Sequence, residues 1–307
     1  MTQLVKLEDY VSRYERDIYH YPGQFIRLKK ENWKKLREQW ENQRYSAEGI
    51  NEDEPTEADS SIWNLFKRKE KEELLEMVVD KPRLPQNEAA LKQYYLDQLV
   101  SLQLKWASTT VNEMSFLDRG YKDDFVLKYF LQRFPDTYLL FYHPIFHIKQ
   151  SFIEGEIILV TPIGIDIITL LETNSSMTFM SNDDRTWMRE HNQIRSKILS
   201  PMLGLNRTEK LVRSMMKAHS IEFPITKIVL SRTNKIQAAQ EPYQTKYIGK
   251  TEHDRWLQEK RSLVSPLKHI QLKVCDILLK QCATNAYKRP EWNENEGGEQ
   301  NMGSFGE

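Results

Sequence analysis

The run from Glu154 to Glu172, EGEIILVTPIGIDIITLLE, constrains this chain more than any other stretch of its sequence. Glu156–Val160 and Ile165–Leu171 are two segments rich in β-branched and aliphatic residues, separated only by Thr161-Pro162-Ile163-Gly164. Two such runs across a short Pro/Gly turn predict a β-hairpin with a buried first strand. The flanking segments extend this into a domain. Lys122–Phe134 carries Phe125, Val126, Tyr129 and Phe130 at helical spacing. After Pro135, Tyr138–Tyr142 has the aromatic and aliphatic character of a strand, which Phe146, Ile148 and Phe152 continue. Thr178–Met180 suits a third strand. Pro201 precedes a helix over 207–219, with Leu211, Val212, Met215 and Met216 facing inward, and Thr226–Ser231 is a short apolar strand. Helix, hairpin, helix and strand in this order predict an α/β (α+β) core over residues 113–250.

The flanks read differently. Residues 1–112 are expected to form a helical region. Tyr10, Tyr14 and Ile18 recur at helical spacing, Pro22-Gly23 interrupts the pattern, and a second helix carries Trp33, Leu36 and Trp40. Residues 47–61 are acidic and polar, as in an exposed loop, and 62–79 suit a helix. Asn87 is placed to cap a helix over 88–110 whose stripe is Leu91, Tyr95, Leu99, Leu102 and Trp106. Residues 251–290 are expected to be a C-terminal helix, and the tail 291–307, without aliphatic residues, to be disordered.

Composition bounds the chemistry. No run of about 18 apolar residues exists to span a membrane, and the opening residues lack the apolar core of a signal peptide. Two cysteines, Cys275 and Cys282, lie on one face of the expected helix and read as free buried thiols, which suits a reducing cytoplasmic compartment. The 307-residue chain has zero formal net charge, but the charge is unevenly spread. Residues 185–290 hold 21 Lys and Arg against 8 Asp and Glu, whereas residues 1–184 hold 23 against 31. A basic third of this kind points to nucleic acid, or else to a solvated helical surface. No glycine-rich phosphate loop or nucleophile elbow is present. His143 and His147 lack a further ligand at metal-binding spacing, and Trp256 beside His253 and Arg255 suits packing or base stacking.

The order of elements resembles a nuclease-related (NERD) domain, over about 115 residues from Gly120 to Ile236. Gly120 with Asp123 matches the start of its first helix, and Glu156 stands where its hairpin acid would be. Pro162 and Gly164 match the turn, Trp187 and Ser200-Pro201 the approach to the next helix, and Lys227–Leu230 the following strand. The resemblance implies a restriction-endonuclease-like fold. It also implies a metal site in which one hairpin acid and a Glu-x-Lys pair on the return strand hold a hard divalent ion and activate water. The chain departs from this pattern where the chemistry resides. The second acid falls on Thr169 and the lysine on Leu171, and no Lys or Arg lies between Glu154 and Asp184.

Three functional readings follow. The first is a non-catalytic binding or scaffold protein on a nuclease-related core, touching nucleic acid through Lys197, Arg207, Lys210 and Arg213, with no cofactor. The second is a Mg²⁺-dependent nuclease with relocated ligands drawn from Asp123, Glu156 and Asp166, with Lys149 as the cation. The third is a protein-interaction role for the N-terminal helices.

Overall fold

In the computed structural model, residues 1–47, 84–182 and 185–289 are described. The expected acidic loop, the helix over 62–79 and the C-terminal tail lie outside them. The elements in chain order are β1 (Gln3–Leu7), α1 (Tyr21–Ala47), α2 (Glu88–Trp106), β2 (Glu113–Met114), α3 (Phe125–Arg133), β3 (Leu139–Tyr142), β4 (Ile145–Ile148), β5 (Ser151–Glu154), β6 (Ile157–Thr161) and β7 (Gly164–Leu170). They continue with β8 (Thr178–Met180), β9 (Thr186–His191), β10 (Ile194–Leu199), α4 (Met202–Ala218), β11 (Ile225–Leu230), β12 (Lys235–Gln237), β13 (Thr245–Ile248), α5 (Lys250–Ser262), α6 (His269–Gln281) and β14 (Tyr287–Lys288).

The chain divides into two compact units, Met1–Gly23 with Gln103–Glu307, and Gln24–Leu102. This division differs from the boundary expected near residue 112. The smaller unit contains most of α1 and α2 running antiparallel. Trp33 and Tyr95 meet with ring centroids 5.3 Å apart, and Trp40 donates its indole N–H to the Pro85 carbonyl at 2.6 Å. Asn87 caps α2 as expected, accepting from the Ala90 N–H at 2.7 Å.

The larger unit is mixed α/β. Its main sheet has six strands in the order β1-β3-β6-β7-β11-β13, and β6 alone runs antiparallel to the others. The central strands are buried along almost their whole length because helices cover both faces, as continuous apolar runs require. The expected hairpin is β6 and β7, with Ile157 opposite Ile168 and Leu159 opposite Asp166. α3 and α5 share one face: Phe134 meets Trp256 edge-on at 5.6 Å, and Lys260 of α5 pairs with Asp166. α4 covers the other face, where the Thr208 hydroxyl accepts the Glu156 N–H at 3.0 Å and Lys227 of β11 pairs with Glu209 at 2.9 Å.

The N-terminus is a correction. Residues 3–7 form a buried edge strand parallel to β3, not a helix. The lysine in this short run is accommodated because its ammonium reaches Glu15, the Tyr10 carbonyl at 2.8 Å and the Thr284 hydroxyl at 3.0 Å. The outer edge of β1 is closed by one side chain. The Gln103 amide accepts from the Leu4 N–H at 2.6 Å and donates to the Thr2 carbonyl at 2.8 Å, as a neighbouring strand would. Pro22-Gly23 lies in the first turn of α1 and does not interrupt a helix; proline is favoured there because the N–H it lacks has no intrahelical partner. The C-terminal segment is two helices, α5 and α6, not one.

A second sheet of four strands, β10-β9-β8-β12, lies beside the main one. Thr178–Met180 belongs to this sheet. Trp187, matched above to a helix approach, is a buried strand residue edge-on to Tyr247 at 5.1 Å. Asn234, fully buried, links the loops that follow β7 and β11. Its carbonyl oxygen accepts from the Thr173 N–H at 2.9 Å, and its NH₂ donates to the Asn174 and Met177 carbonyls at 2.6 and 3.0 Å. Removing one partner leaves the others buried and unpaired. Asn234→Ala is therefore expected to destabilise the protein by about 2–4 kcal/mol. A urea titration should show a lowered midpoint with unchanged slope, whereas Ala at the exposed Gln240 should shift it by no more than about 0.5 kcal/mol.

Candidate functional site

Strand register decides where the hairpin acids go. Ile157 faces Ile168, so Glu156, one step before the ladder, falls opposite Thr169. Glu156 and Thr169 share the α4 face. The Glu156 carboxylate lies against the first turn of α4 so closely that a Cβ on Gly204 would come 1.9 Å from its Oε1. The Thr169 hydroxyl is buried without a hydrogen-bond partner. Asp166 has the opposite parity and points to the α5 face, where Lys260 holds it. Asp123 follows a 3-10 turn with its side chain 90% exposed, 3.6 Å from the Lys128 ammonium. Lys149 sits in the tight β4–β5 turn at φ 57°. The structure thus places Glu156 and Asp166 on opposite faces of the sheet, and a shared site built from Asp123, Glu156, Asp166 and Lys149 is not assembled. Among the described residues no group of three His, Cys, Asp or Glu side chains is placed to hold a metal ion.

A different set of groups does converge. The five mutually parallel strands end at one edge of the main sheet, and open α/β sheets bind ligands outside this carboxyl edge. Glu172 follows β7 and Arg232 follows β11. The Glu172 carboxylate accepts from Arg232 Nε at 2.8 Å, Nη2 at 2.7 Å and the Arg232 backbone N–H at 2.7 Å. The guanidinium lies over the Tyr129 ring, 4.8 Å from its centroid, and the Tyr129 hydroxyl meets His253 Nε2 at 2.8 Å. Asp124 caps α3 through the Val126 and Leu127 N–H groups and accepts the Tyr142 hydroxyl at 2.7 Å. Tyr121 donates to Glu8 alongside.

The electrostatics of this cluster follow from its burial. Desolvation raises the phenols of Tyr121, Tyr129 and Tyr142 above their ordinary value, and the carboxylates facing Tyr121 and Tyr142 add to the shift. Burial pushes the Glu172 carboxyl up, but the hydrogen bonds from Arg232 together outweigh it and hold Glu172 below its ordinary value. Arg232 is raised in turn, chiefly by its hydrogen bonds to Glu172. Sequence reasoning assigns no role to Glu172, Asp124 or Arg232. The available signal is position: each is a charged residue at the end of an apolar strand or the start of an apolar helix.

The basic candidates lie elsewhere. Arg207, Lys210 and Arg213 are exposed on α4, with Lys217 on the same side, and Lys197 is exposed on β10. Arg207 donates to the Glu154 carbonyl at 3.2 Å, and Arg213 pairs with Glu209 at 2.7 Å. Trp256 is buried, so it is not available to stack on bases. His147 stacks on Phe152 at 4.7 Å, and His143 Nδ1 lies 3.8 Å from Glu154. Both cysteines are free, and burial pushes the Cys282 thiol up to about 12.

Comparison with known proteins adds little. No family model matches the chain, and no solved structure matches it. A protein of Geobacillus stearothermophilus described as an RNA 2',3'-cyclic phosphodiesterase is 54% identical over 44 residues, which is 14% of this chain and 14% of that protein. The chain therefore spans about one seventh of the length of the curated relative it matches, and the stretch is too short to carry an activity across.

The Glu172–Arg232 pair has a pH signature. A carboxyl held below its unfolded value, 4.5, contributes stability that is complete above that value and is lost as pH falls through the folded one. Glu172→Gln should lower Tm by about 3–6 °C at about pH 7, and the gap to wild type should close as pH falls below about 4.5. A gap that stays constant down to about pH 3 in thermal melts would show that the pair does not act through ionisation.

Proposed function

We propose that this chain is a nuclease-related protein that binds nucleic acid without cutting it. The observation that carries this reading is the hairpin. The position of the second metal-ligating acid is taken by Thr169, whose hydroxyl supplies no carboxylate charge, and the lysine position by Leu171. Support for the core comes from the order α3-β3-β6-β7-α4-β11, counting main-sheet strands and passing over the β4–β5 hairpin and the inserted β8–β10, with β6 antiparallel between two strands of common direction. A helix, three antiparallel-linked strands, a helix and a parallel strand make up the layout that the sequence resemblance leads one to expect.

Affinity for nucleic acid would come from α4. Lys210 and Lys217 lie on its exposed side with no carboxylate partner among the described residues, and Arg207 is held only by a backbone carbonyl. Arg213 is partly neutralised by Glu209 and should contribute less. A strip of cations on one helix side follows a phosphate backbone and carries no base specificity. No helix among the described residues is long and apolar enough to cross a membrane.

Fluorescence anisotropy with a duplex DNA oligonucleotide tests this reading. Arg207→Ala with Lys210→Ala is expected to weaken binding about tenfold at about 0.1 M salt. The log–log salt slope should fall by about 1.8, at about 0.9 for each phosphate that is no longer neutralised. No binding even at low salt would refute the nucleic-acid role. Mg²⁺- or Mn²⁺-dependent cleavage that Glu156→Ala abolishes would restore a nuclease with relocated ligands.

A further inference from the structure

The four-stranded sheet has one covered face and one open face. Strand register assigns each side chain. Trp187 and Phe179, both buried, lie on the covered face with Ile236 and Ile198. On the other face the paired residues form rows across the strands. One row runs Lys197–Met188–Met180–Gln237, and the next has Arg195 at the β10 edge and Lys235 at the β12 edge. None of these side chains is buried. Both edges of this face are cationic, and two adjacent thioethers fill the middle of the first row. Among the described residues Glu190 is its one acid, and Arg195 already neutralises it. Lys197 and Lys235 have no carboxylate partner among the described residues.

We propose that this open face binds a single strand of nucleic acid. The proposal rests on the nucleic-acid reading above and deepens it. The charge pattern calls for a polyanion with apolar groups along it, since Lys197 and Lys235 stand at opposite edges of a face whose middle holds Met188 and Met180 in one row and Thr178 with the Arg195-paired Glu190 in the next. A nucleic-acid strand has this chemistry: phosphates reach the lysines at the edges while bases lie flat on the methionine side chains. A duplex does not fit. Four strands at about 4.8 Å spacing make a backbone surface about 14 Å across, already wider than a major groove of about 12 Å before side chains are added. Duplex bases are also paired and stacked, and so cannot lie on the face. The α4 cations would serve any phosphate backbone, whereas this face selects unpaired strands.

The test measures an oligothymidylate and a duplex of equal length side by side, with the full chain and two variants. Lys197→Glu with Lys235→Glu is expected to weaken single-strand binding at least tenfold and lower its salt slope by about 1.4, at about 0.7 per phosphate, while duplex binding changes less than threefold. Gln237→Lys, which adds a cation at the β12 edge of the same row and leaves both methionines in place, is expected to strengthen single-strand binding and so separates a charge effect from misfolding. As a check on the unaltered protein, oligothymidylate should slow peroxide oxidation of Met180 and Met188 at least threefold. Unchanged single-strand affinity in the double variant, or unprotected methionines, would overturn the proposal while leaving a duplex-binding α4 intact. Absence of all nucleic-acid binding would instead remove the parent reading and this one with it. A concentration-dependent dimer that Gln237→Lys dissociates would assign the face to a second copy of the chain and overturn the proposal.

Discussion

The register of the β6–β7 hairpin determines most of what this protein can do. Because side chains alternate along a strand, a slip of one residue would exchange the two faces of the sheet. The observed pairing, Ile157 with Ile168, sends Glu156 and Thr169 toward α4 and Asp166 toward α5. Each helix is fitted to what it receives. α4 has a glycine at position 204, where any side chain would collide with the Glu156 carboxylate, and α5 supplies Lys260 to the buried Asp166. A buried acid without a cation is costly, so the register and the helix sequences are mutually dependent. The same register prevents the hairpin acids from sharing one ion.

At the carboxyl edge of the main sheet, acids are balanced by a cation belonging to the chain. Asp124 and Glu172 both lie within the field of Arg232, and the guanidinium is fixed by the Glu172 fork and the face of Tyr129. A metal ion performs this balancing in a hydrolytic centre and also polarises substrate and water. A guanidinium neutralises charge and donates hydrogen bonds, but it never gives up its proton to generate hydroxide and has no open coordination position.

The sequence reveals elements in proportion to how continuously apolar they are. β3, β6, β7 and β11 are buried on both faces, so each appears as an unbroken aliphatic or aromatic run, and α3 and α4 show clear stripes. β1 escapes detection because five residues that include a lysine match no simple pattern; Glu15, Thr284 and the Tyr10 carbonyl make Lys6 tolerable there. β9 and β10 escape it because one side of their sheet is open. Trp187 is the one fully buried side chain in the pair, and their turn uses Asn192 and Gln193 at positive φ where glycine would have announced it. The hairpin acids are legible along the chain, but their faces depend on how the turn transmits parity. The Glu172–Arg232 pair spans sixty residues and joins two loops that only the parallel pairing of β7 with β11 brings together.

The same distinction between position and pairing revises the meaning of the basic C-terminal third. A count of 21 cations against 8 acids suggests a broadly positive surface. Several of those cations are committed elsewhere: Arg232 to Glu172 and Lys260 to Asp166, both acids from the preceding part of the chain, and Lys227 to Glu209 within the third itself. They hold the fold together and contribute little field outside it. Lys210 and Lys217 on α4, and Lys197 and Lys235 on the four-stranded sheet, point outward with no carboxylate partner among the described residues. A uniformly solvated surface would scatter unpaired cations among paired ones, as α1 does with its Arg27–Glu31, Lys34–Glu38 and Arg37–Glu41 pairs. Lys246, Lys250, Lys268, Lys273 and Lys288 are likewise exposed without a carboxylate partner among the described residues; what Lys210, Lys217, Lys197 and Lys235 add is that they share two surfaces, a helix side and an open sheet face, and Ser200 and Pro201 alone separate β10 of that sheet from the start of α4. The cations of this third therefore divide by commitment: some close ion pairs inside the fold, the others stand at the surface, and only the second set can act on a charged partner.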